Sequence, residues 1–327
     1  MEKLDGKLWD EARNKIDAVK GELAKIVVGQ EEIVREMLVA LLSDGHCLVV
    51  GVPGLAKTLL VETLGKILGL SFRRIQFTPD MMPSDILGCE ILQDQGEGKR
   101  KFEFAKGPIF ANMILADEIN RTPPKTQSAL LEAMQERQVT TAGRTLPLPK
   151  PFLVFATQNP IEHEGTYPLP EAQLDRFFFN LRIDYPELDD EREIVIRTTT
   201  GELPEPKKIL NPEKILLLQK LATEIPVPEH VMDYILKLPR ASRPETDDAP
   251  EHVKDYVAWG AGPRASQNLA RAAKSLALLE GNPAVSQEDV KRVAMPVLRH
   301  RIIPNYNATG ENVTVEEIIS KLIDNLE

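Results

Sequence analysis

Residues 51–58, GVPGLAKT, set a glycine turn before a lysine and a hydroxyl residue. That combination suits phosphate. Backbone N–H groups curl around the oxyanion, Lys57 adds positive charge, and the Thr58 hydroxyl is a hard oxygen ligand for Mg²⁺. Gly51, Lys57 and Thr58 match the phosphate-loop pattern G-x-x-x-x-G-K-[ST], but Ala56 stands where the second glycine belongs. A methyl group is tolerated there if φ is negative. The nucleotide contacts expected from this loop are Gly51, Pro53, Gly54, Leu55, Ala56, Lys57, Thr58 and Leu59.

Three further groups complete a phosphoryl-transfer set. The run MILADE (113–118) ends in Asp117-Glu118. Asp117 suits the Mg²⁺ shell, and Glu118 can orient or deprotonate a water. FLVFATQNP ends at Gln158-Asn159, where an amide can bridge the attacking water and the γ-phosphate without adding charge. Arg176 in EAQLDRF and Arg264 in GPRAS are candidates to neutralise transition-state charge, and such an arginine can come from another subunit. Taken singly, the alternatives are an acidic strand exit, an Asx turn before Pro160 and, as the commoner reading of each arginine alone, an ordinary ion pair. Their succession behind a phosphate loop favours the chemical reading.

These residues need elements to hold them. HCLVV (46–50) reads as a buried strand that stops at the glycine turn. Leu59, Leu60, Leu64, Ile67 and Leu68 mark the helix behind it. EEIVREMLVALLS (31–43) has an apolar helical face. Further strand candidates are FRRIQFT (72–78), ANMILAD (111–117), PFLVFAT (151–157) and FFFNLRI (177–183), with helical patterns between several, notably 125–137. Alternating strands and helices imply an α/β core around a mostly parallel sheet. Segments 88–108 and 138–149 each carry two extended runs about a glycine turn and read as inserted hairpins. Beyond Pro186 helical periodicity dominates (213–222, 229–238, 266–280, 286–299). The expected domains are therefore 1–186, the nucleotide-binding core with an N-terminal helix, and 187–327, a smaller helical lid.

Composition narrows the classes. The chain has 327 residues, with 40 Lys and Arg against 50 Asp and Glu, a net charge of −10. That balance argues against a nucleic-acid partner, and the short basic run Lys99, Arg100, Lys101 reads as a solvated hairpin tip. The two cysteines, Cys47 and Cys89, have no metal-like spacing, and Cys47 lies in an apolar run. With no apolar stretch near the ~20 residues that span a bilayer and no signal-peptide core, a cytoplasmic protein is expected.

Together these residues resemble the MoxR family of AAA+ ATPases. The resemblance rests on GVPGLAKT, ADEINRTPPKTQSALLEAMQERQVT, ATQNPIEHEGTYPLPEAQLDRF and GPRAS, and spans roughly residues 25 to 303. Loops of that family resemble this one in ending G-x-A-K-T. The resemblance implies an αβα core with inserted hairpins, a helical lid, ATP and ADP as ligands with Mg²⁺, and hydrolysis of ATP. By position, Lys57 and Thr58 would form Walker A, Asp117 and Glu118 Walker B, Asn159 sensor 1, Arg176 the arginine finger, and Arg264 sensor 2 on the lid. Val28 and Gly29 match the segment that touches adenine. The resemblance further implies a closed ring, six subunits by family expectation, with the hairpins toward its pore or one face. It also implies chaperone-like remodelling of a protein partner, typically one with a von Willebrand factor A domain.

Three alternatives share much of this pattern. They are a nucleic-acid motor, a magnesium-chelatase motor subunit, and a scaffold that switches a partner by nucleotide binding alone. Salt-sensitive binding of single-stranded DNA would mark the first, and stimulation by chelatase subunits the second. Partner activation surviving Glu118→Gln would mark the third.

Overall fold

The computed structural model describes residues 6–94, 100–141, 143–161, 165–201 and 204–326. Lys99 of the basic run therefore lies outside the described residues. Its strands are β1 (Cys47–Val50), β2 (Phe72–Gln76), β3 (Gly88–Asp94), β4 (Arg100–Lys106), β5 (Met113–Asp117), β6 (Gln138–Thr141), β7 (Arg144–Pro147), β8 (Leu153–Gln158), β9 (Phe179–Arg182), β10 (Val257–Trp259) and β11 (Ile303–Pro304). The helices up to residue 200 are α1 (Gly6–Ala24), α2 (Glu31–Leu42), α3 (Lys57–Leu68), α4 (Pro83–Leu87), α5 (Pro124–Glu136), α6 (Glu171–Leu174) and α7 (Leu188–Thr200). Those that follow are α8 (Pro212–Glu224), α9 (Glu229–Ala241), α10 (Glu251–Tyr256), α11 (Pro263–Glu280), α12 (Gln287–Leu298), α13 (Tyr306–Gly310) and α14 (Val315–Asp324).

Five strands form one sheet in the order β2-β5-β8-β1-β9, every pair parallel. Strands buried on both faces need apolar side chains pointing both ways, which is why β5 and β8 read as unbroken apolar runs. Alternation then divides them between two cores. Cys47, Val49, Met113, Leu115, Leu153 and Phe155 join the cluster with α1, α2, α3 and the lid helices. Leu48, Ile114, Ala116, Val154 and Ala156 join the one with α5 on the opposite face. The two hairpins are present as β3–β4 and β6–β7, each antiparallel.

The lid helices start where their sequences supply caps. Asn211 accepts from the Lys214 N–H at α8. Ser286 with Asp289, and Thr314 with Glu317, form capping boxes at α12 and α14. Between the helices the lid adds one short antiparallel pair, β10–β11. Among the described residues no helix is long and apolar enough to cross a membrane.

Candidate functional site

The turn from β1 into α3 is built from glycine where nothing else fits. A Cβ on the buried Gly51 would lie 2.8 Å from the Ile183 carbonyl oxygen, and Gly54 sits at φ +91°. Ala56 does not meet the condition under which a methyl group is tolerated. It lies at φ +52°, ψ 22°, in the left-handed region and not at negative φ. The loop must reverse its curl to enter α3, and that demand holds whichever residue is there; the methyl group costs on the order of 1 kcal/mol relative to glycine. No side chain caps α3, and its first intrahelical bond runs from the Leu60 N–H to the Ala56 carbonyl at 2.9 Å. The N–H groups before it, including those of Lys57, Thr58 and Leu59, are left for an anion, and the helix dipole favours one. Lys57 Nζ donates to the Gly51 carbonyl at 2.6 Å, closing the loop over its own backbone. Burial lowers the Lys57 pKa, against the opposing pull of Asp117 and Glu118.

Parallel register brings the acidic pair beside this loop. Gln76 pairs with Asp117, Ala116 with Ala156, and Val50 with Gln158. Asp117 Oδ1 accepts from the Thr157 hydroxyl at 2.6 Å. Its Oδ2 accepts from Arg74 Nη2 at 2.6 Å and Nε at 3.1 Å. Thr157 also accepts the Glu118 N–H at 2.8 Å, so one hydroxyl orients both acidic residues. Glu118 is held at φ +58°, and its Oε2 accepts from Gln76 at 2.8 Å and Arg121 at 3.1 Å. Backbone strain of this kind concentrates where a side chain must be aimed. Asn159 is buried, with Oδ1 accepting the Ile161 N–H at 3.2 Å while Nδ2 has no acceptor. A buried amide donor without an acceptor is costly unless a ligand supplies one.

This oxygen set fits Mg²⁺. Among the described residues no cluster of three His, Cys, Asp or Glu groups could hold a metal by itself. Magnesium sites commonly use one or two protein oxygens and complete the shell with phosphate and water. Thr58 and Asp117 are the protein oxygens available here, and the Arg74 guanidinium balances the Asp117 charge.

Val28 lines a small apolar cavity of about 70 Å³ beside the loop, with Ile26, Val27, Ala56, Leu59 and Ile194. Gly29 is at φ +69°, and a Cβ there would meet Asp190 Oδ2 of α7 at 2.3 Å. The segment expected to touch adenine is thus pinned between α3 and α7.

The two arginines lie elsewhere. Arg176 and Arg264 line one cavity of about 220 Å³ together with Asp44, His46, Arg137 and Arg271. Arg264 Nη1 donates to Asp175 at 2.9 Å. The buried Arg301 donates to the same carboxylate through Nε at 2.8 Å and to the Phe177 carbonyl at 2.6 Å. Burial lowers the Arg301 pKa to about 10, with Asp175 opposing. His46 Nδ1 accepts the Val154 N–H at 3.0 Å, which leaves Nε2–H facing the Met134 carbonyl at 3.1 Å. Burial holds this imidazole well below its usual pKa.

The edge of the sheet decides what these arginines can reach. Phe179 pairs with Cys47, and Arg182 with Val50. Arg176 therefore precedes the N-terminal end of β9, while Lys57, Asp117, Glu118 and Asn159 gather at the C-terminal ends of their strands. The two groups are separated by the length of the strands, roughly 13 Å for four residues.

Arg74, Gln76, Thr157, Asp175 and Arg301 were not singled out from the sequence. Arg74 and Gln76 lie two apart on β2, a usable signal only once β2 is known to pair with β5.

Comparison with known proteins identifies the family. The family described as ATPases associated with various cellular activities (AAA) matches residues 46–179, and the AAA lid domain matches 249–322. Chaperone MoxR1 of Mycobacterium tuberculosis is 48% identical over 302 residues, 92% of this chain and 79% of its own length. The chain belongs to the MoxR family of AAA+ ATPases. Protein YeaC of Bacillus subtilis is similar at 41% identity, covering 91% of this chain and 90% of its own. MoxR of Paracoccus denitrificans is 30% identical, over 88% of each chain. A crystal structure of a candidate ATPase from Cytophaga hutchinsonii has the same fold, with a TM-score of 0.91 at 44% identity, covering 98% of this chain and 96% of that one. The ATPase match contains Lys57, Asp117, Glu118, Asn159 and Arg176, and the lid match contains Arg264.

Proposed function

We propose that this MoxR-type chain hydrolyses ATP at a site shared between two copies, and that a closed ring of such copies remodels a protein partner in the cytoplasm. The observation that carries the reading is the separation of the two groups. Arg176 and Arg264 lie at the opposite edge of the sheet from Lys57, so an arginine serving hydrolysis must serve a neighbour's nucleotide. Repeating that head-to-tail contact gives either a ring or a filament, and six subunits is the family expectation.

Within the site, the loop N–H groups and Lys57 hold the phosphates, and Val28 and Gly29 flank adenine. Thr58 and Asp117 would hold Mg²⁺, which when bound neutralises phosphate charge and fixes its geometry. Glu118 takes the proton of the attacking water while Asn159 Nδ2 orients it, and the partner copy's arginines stabilise charge on the transferring phosphoryl group. Arg264 thus acts as sensor 2 on the neighbour's nucleotide and not on that of its own chain.

Mechanical output suits the β3–β4 hairpin. Leu92 and Phe102 face each other across it and are 51% and 62% exposed, an apolar pair on the hairpin arms able to grip a client. A partner with a von Willebrand factor A domain follows the family expectation. The test is the Mg²⁺-dependent ATPase rate per subunit across a wide range of protein concentration. A rate that climbs with assembly and disappears in Arg176→Ala supports the shared site; one independent of both rejects it.

A further inference from the structure

A second cavity adjoins the arginine cavity on the lid side. It measures about 590 Å³ and lies between the C-terminal end of α2 and helices α8, α9 and α11, lined by Leu42, Ala222, Met232 and Ala270 with Lys220 and Lys274. Asp44 and Arg271 line both cavities, so they form one continuous groove. Its open charges are cationic. Lys274 Nζ donates to the Thr223 carbonyl at 2.9 Å, Arg271 lies 5.3 Å from the Phe178 ring, and the one acid, Asp44, is paired with Arg137 at 3.2 Å.

Helix α7 has the opposite character. Its first turn carries Asp189, Asp190 and Glu191. Asp190 is turned inward under Gly29, whereas Asp189 and Glu191 are exposed. Tyr185 and Leu188 beside them are 76% and 81% exposed, and Val195, two turns on, extends the Leu188 stripe. This is an acidic end with an uncovered apolar stripe, the complement of a cationic groove with apolar walls.

Position decides the occupant. Helix α7 borders the adenine cavity through Ile194, Arg197 and Thr198. The groove borders the arginine cavity. The groove sits on the face of the sheet covered by α1, α2, α3 and the lid, and α7 lies beside Ala56, Leu59 and Leu60 at the start of α3. In the head-to-tail contact that a shared site requires, the end of one copy that carries α7 faces the end of the next that carries the groove.

We propose that α7 of one copy docks in the groove between α8 and α11 of the next, Asp189 and Glu191 meeting Lys220 and Lys274 and Leu188 entering beside Met232. The proposal rests on the shared-site reading and names the surface that holds the copies together. Because Arg197 donates to the Ala24 and Lys25 carbonyls just before the adenine segment, the docked helix ties nucleotide occupancy to the subunit contact.

A charge exchange tests it, read as the concentration of half-assembly by sedimentation with Mg²⁺ and a non-hydrolysable ATP analogue. Asp189→Lys with Glu191→Lys should raise that concentration about tenfold or more, and Lys220→Glu with Lys274→Glu should do the same. All four substitutions in one chain should return it to within about threefold of the parent. Circular dichroism and the nucleotide affinity of the dilute subunit should be unchanged throughout. Assembly unaffected by the α7 pair, or not restored by the exchange, overturns the docking. The shared site is read separately by mixing Lys57→Ala with Arg176→Ala protein. Recovered activity alongside a failed charge exchange rejects α7 docking alone, and no recovery removes both.

Discussion

The guanidinium of Arg264 donates to the carboxylate of Asp175 at 2.9 Å, one residue before Arg176. That bond sets the lid arginine at the N-terminal edge of the sheet, where it shares a cavity with Arg176. Two cations aimed at one space repel each other unless an anion occupies it or a carboxylate lies between them. Asp175 supplies the carboxylate, and a neighbour's phosphates would supply the anion.

Asp175 also neutralises Arg301, whose side chain is only 2% exposed. Asp175→Ala should therefore cost about 2 to 4 kcal/mol, somewhat softened because Arg301 keeps its carbonyl acceptors. Denaturant unfolding measures the loss. Asp175→Asn should lose less than half as much, and a loss below about 0.5 kcal/mol for the alanine variant contradicts the pairing.

Arg74 competes for the carboxylate assigned to Mg²⁺. Arg74→Gln should leave Asp117 more negative and lower the Mg²⁺ concentration needed for half-maximal nucleotide binding, by roughly threefold to tenfold. Titrating a fluorescent ADP analogue against Mg²⁺ reads this without turnover. A raised requirement would mean that Arg74 orients Asp117 more than it competes for it.

The apolar strands were legible because buried parallel strands read as contiguous runs: β1, β2, β5 and β9 fall within the expected segments, and β8 passes the end of its segment by one residue, Gln158. Helix α5 at Pro124–Glu136 and both hairpins were legible by the same logic of period and turn. Helix α7 was not, since DDEREIVIRTTT mixes a charged start with β-branched residues of weak helix propensity. The sheet order was not legible either, so Arg74 and Gln76 could not be brought to Asp117 and Glu118. Register across neighbouring strands is a tertiary property that no local spacing carries. Thr157 lay in plain sight in FLVFATQNP, but its role needs β5 beside β8.

Ala56 shows the limit from the other side. An L-residue favours negative φ, and the entry into α3 imposes +52°. Ala56→Gly should change global stability by less than about 1 kcal/mol, because relief of strain offsets the greater freedom of the unfolded chain. Ala56→Val should weaken nucleotide affinity about tenfold or more, since a β-branched residue resists this region. Equilibrium nucleotide binding distinguishes them, and a valine variant that binds normally contradicts the assigned backbone.

Glu36 on α2 gives a pH signature. Burial raises its pKa from 4.5 to about 7, Arg299 and Arg35 opposing and Glu32 adding to the rise. The folded state then holds a proton that the unfolded chain releases between pH 4.5 and about 7. This group's contribution to stability is present below pH 4.5 and falls across that window, by on the order of 2 to 3 kcal/mol. Glu36→Gln should remove that component, leaving a variant more stable than the parent at pH 8 and little changed at pH 5. Thermal melts at the two pH values check the sign, and a variant destabilised equally at both contradicts it.

The central claim is that nucleotide and arginines in one working site belong to different copies. Lys57→Ala and Arg176→Ala proteins, each inactive alone, should regain Mg²⁺-ATPase activity when mixed in equal amounts and allowed to exchange. Random assembly makes about a quarter of the interfaces complete, so recovery toward a quarter of the parent rate is predicted. A mixture as inactive as its components would contradict the shared site directly.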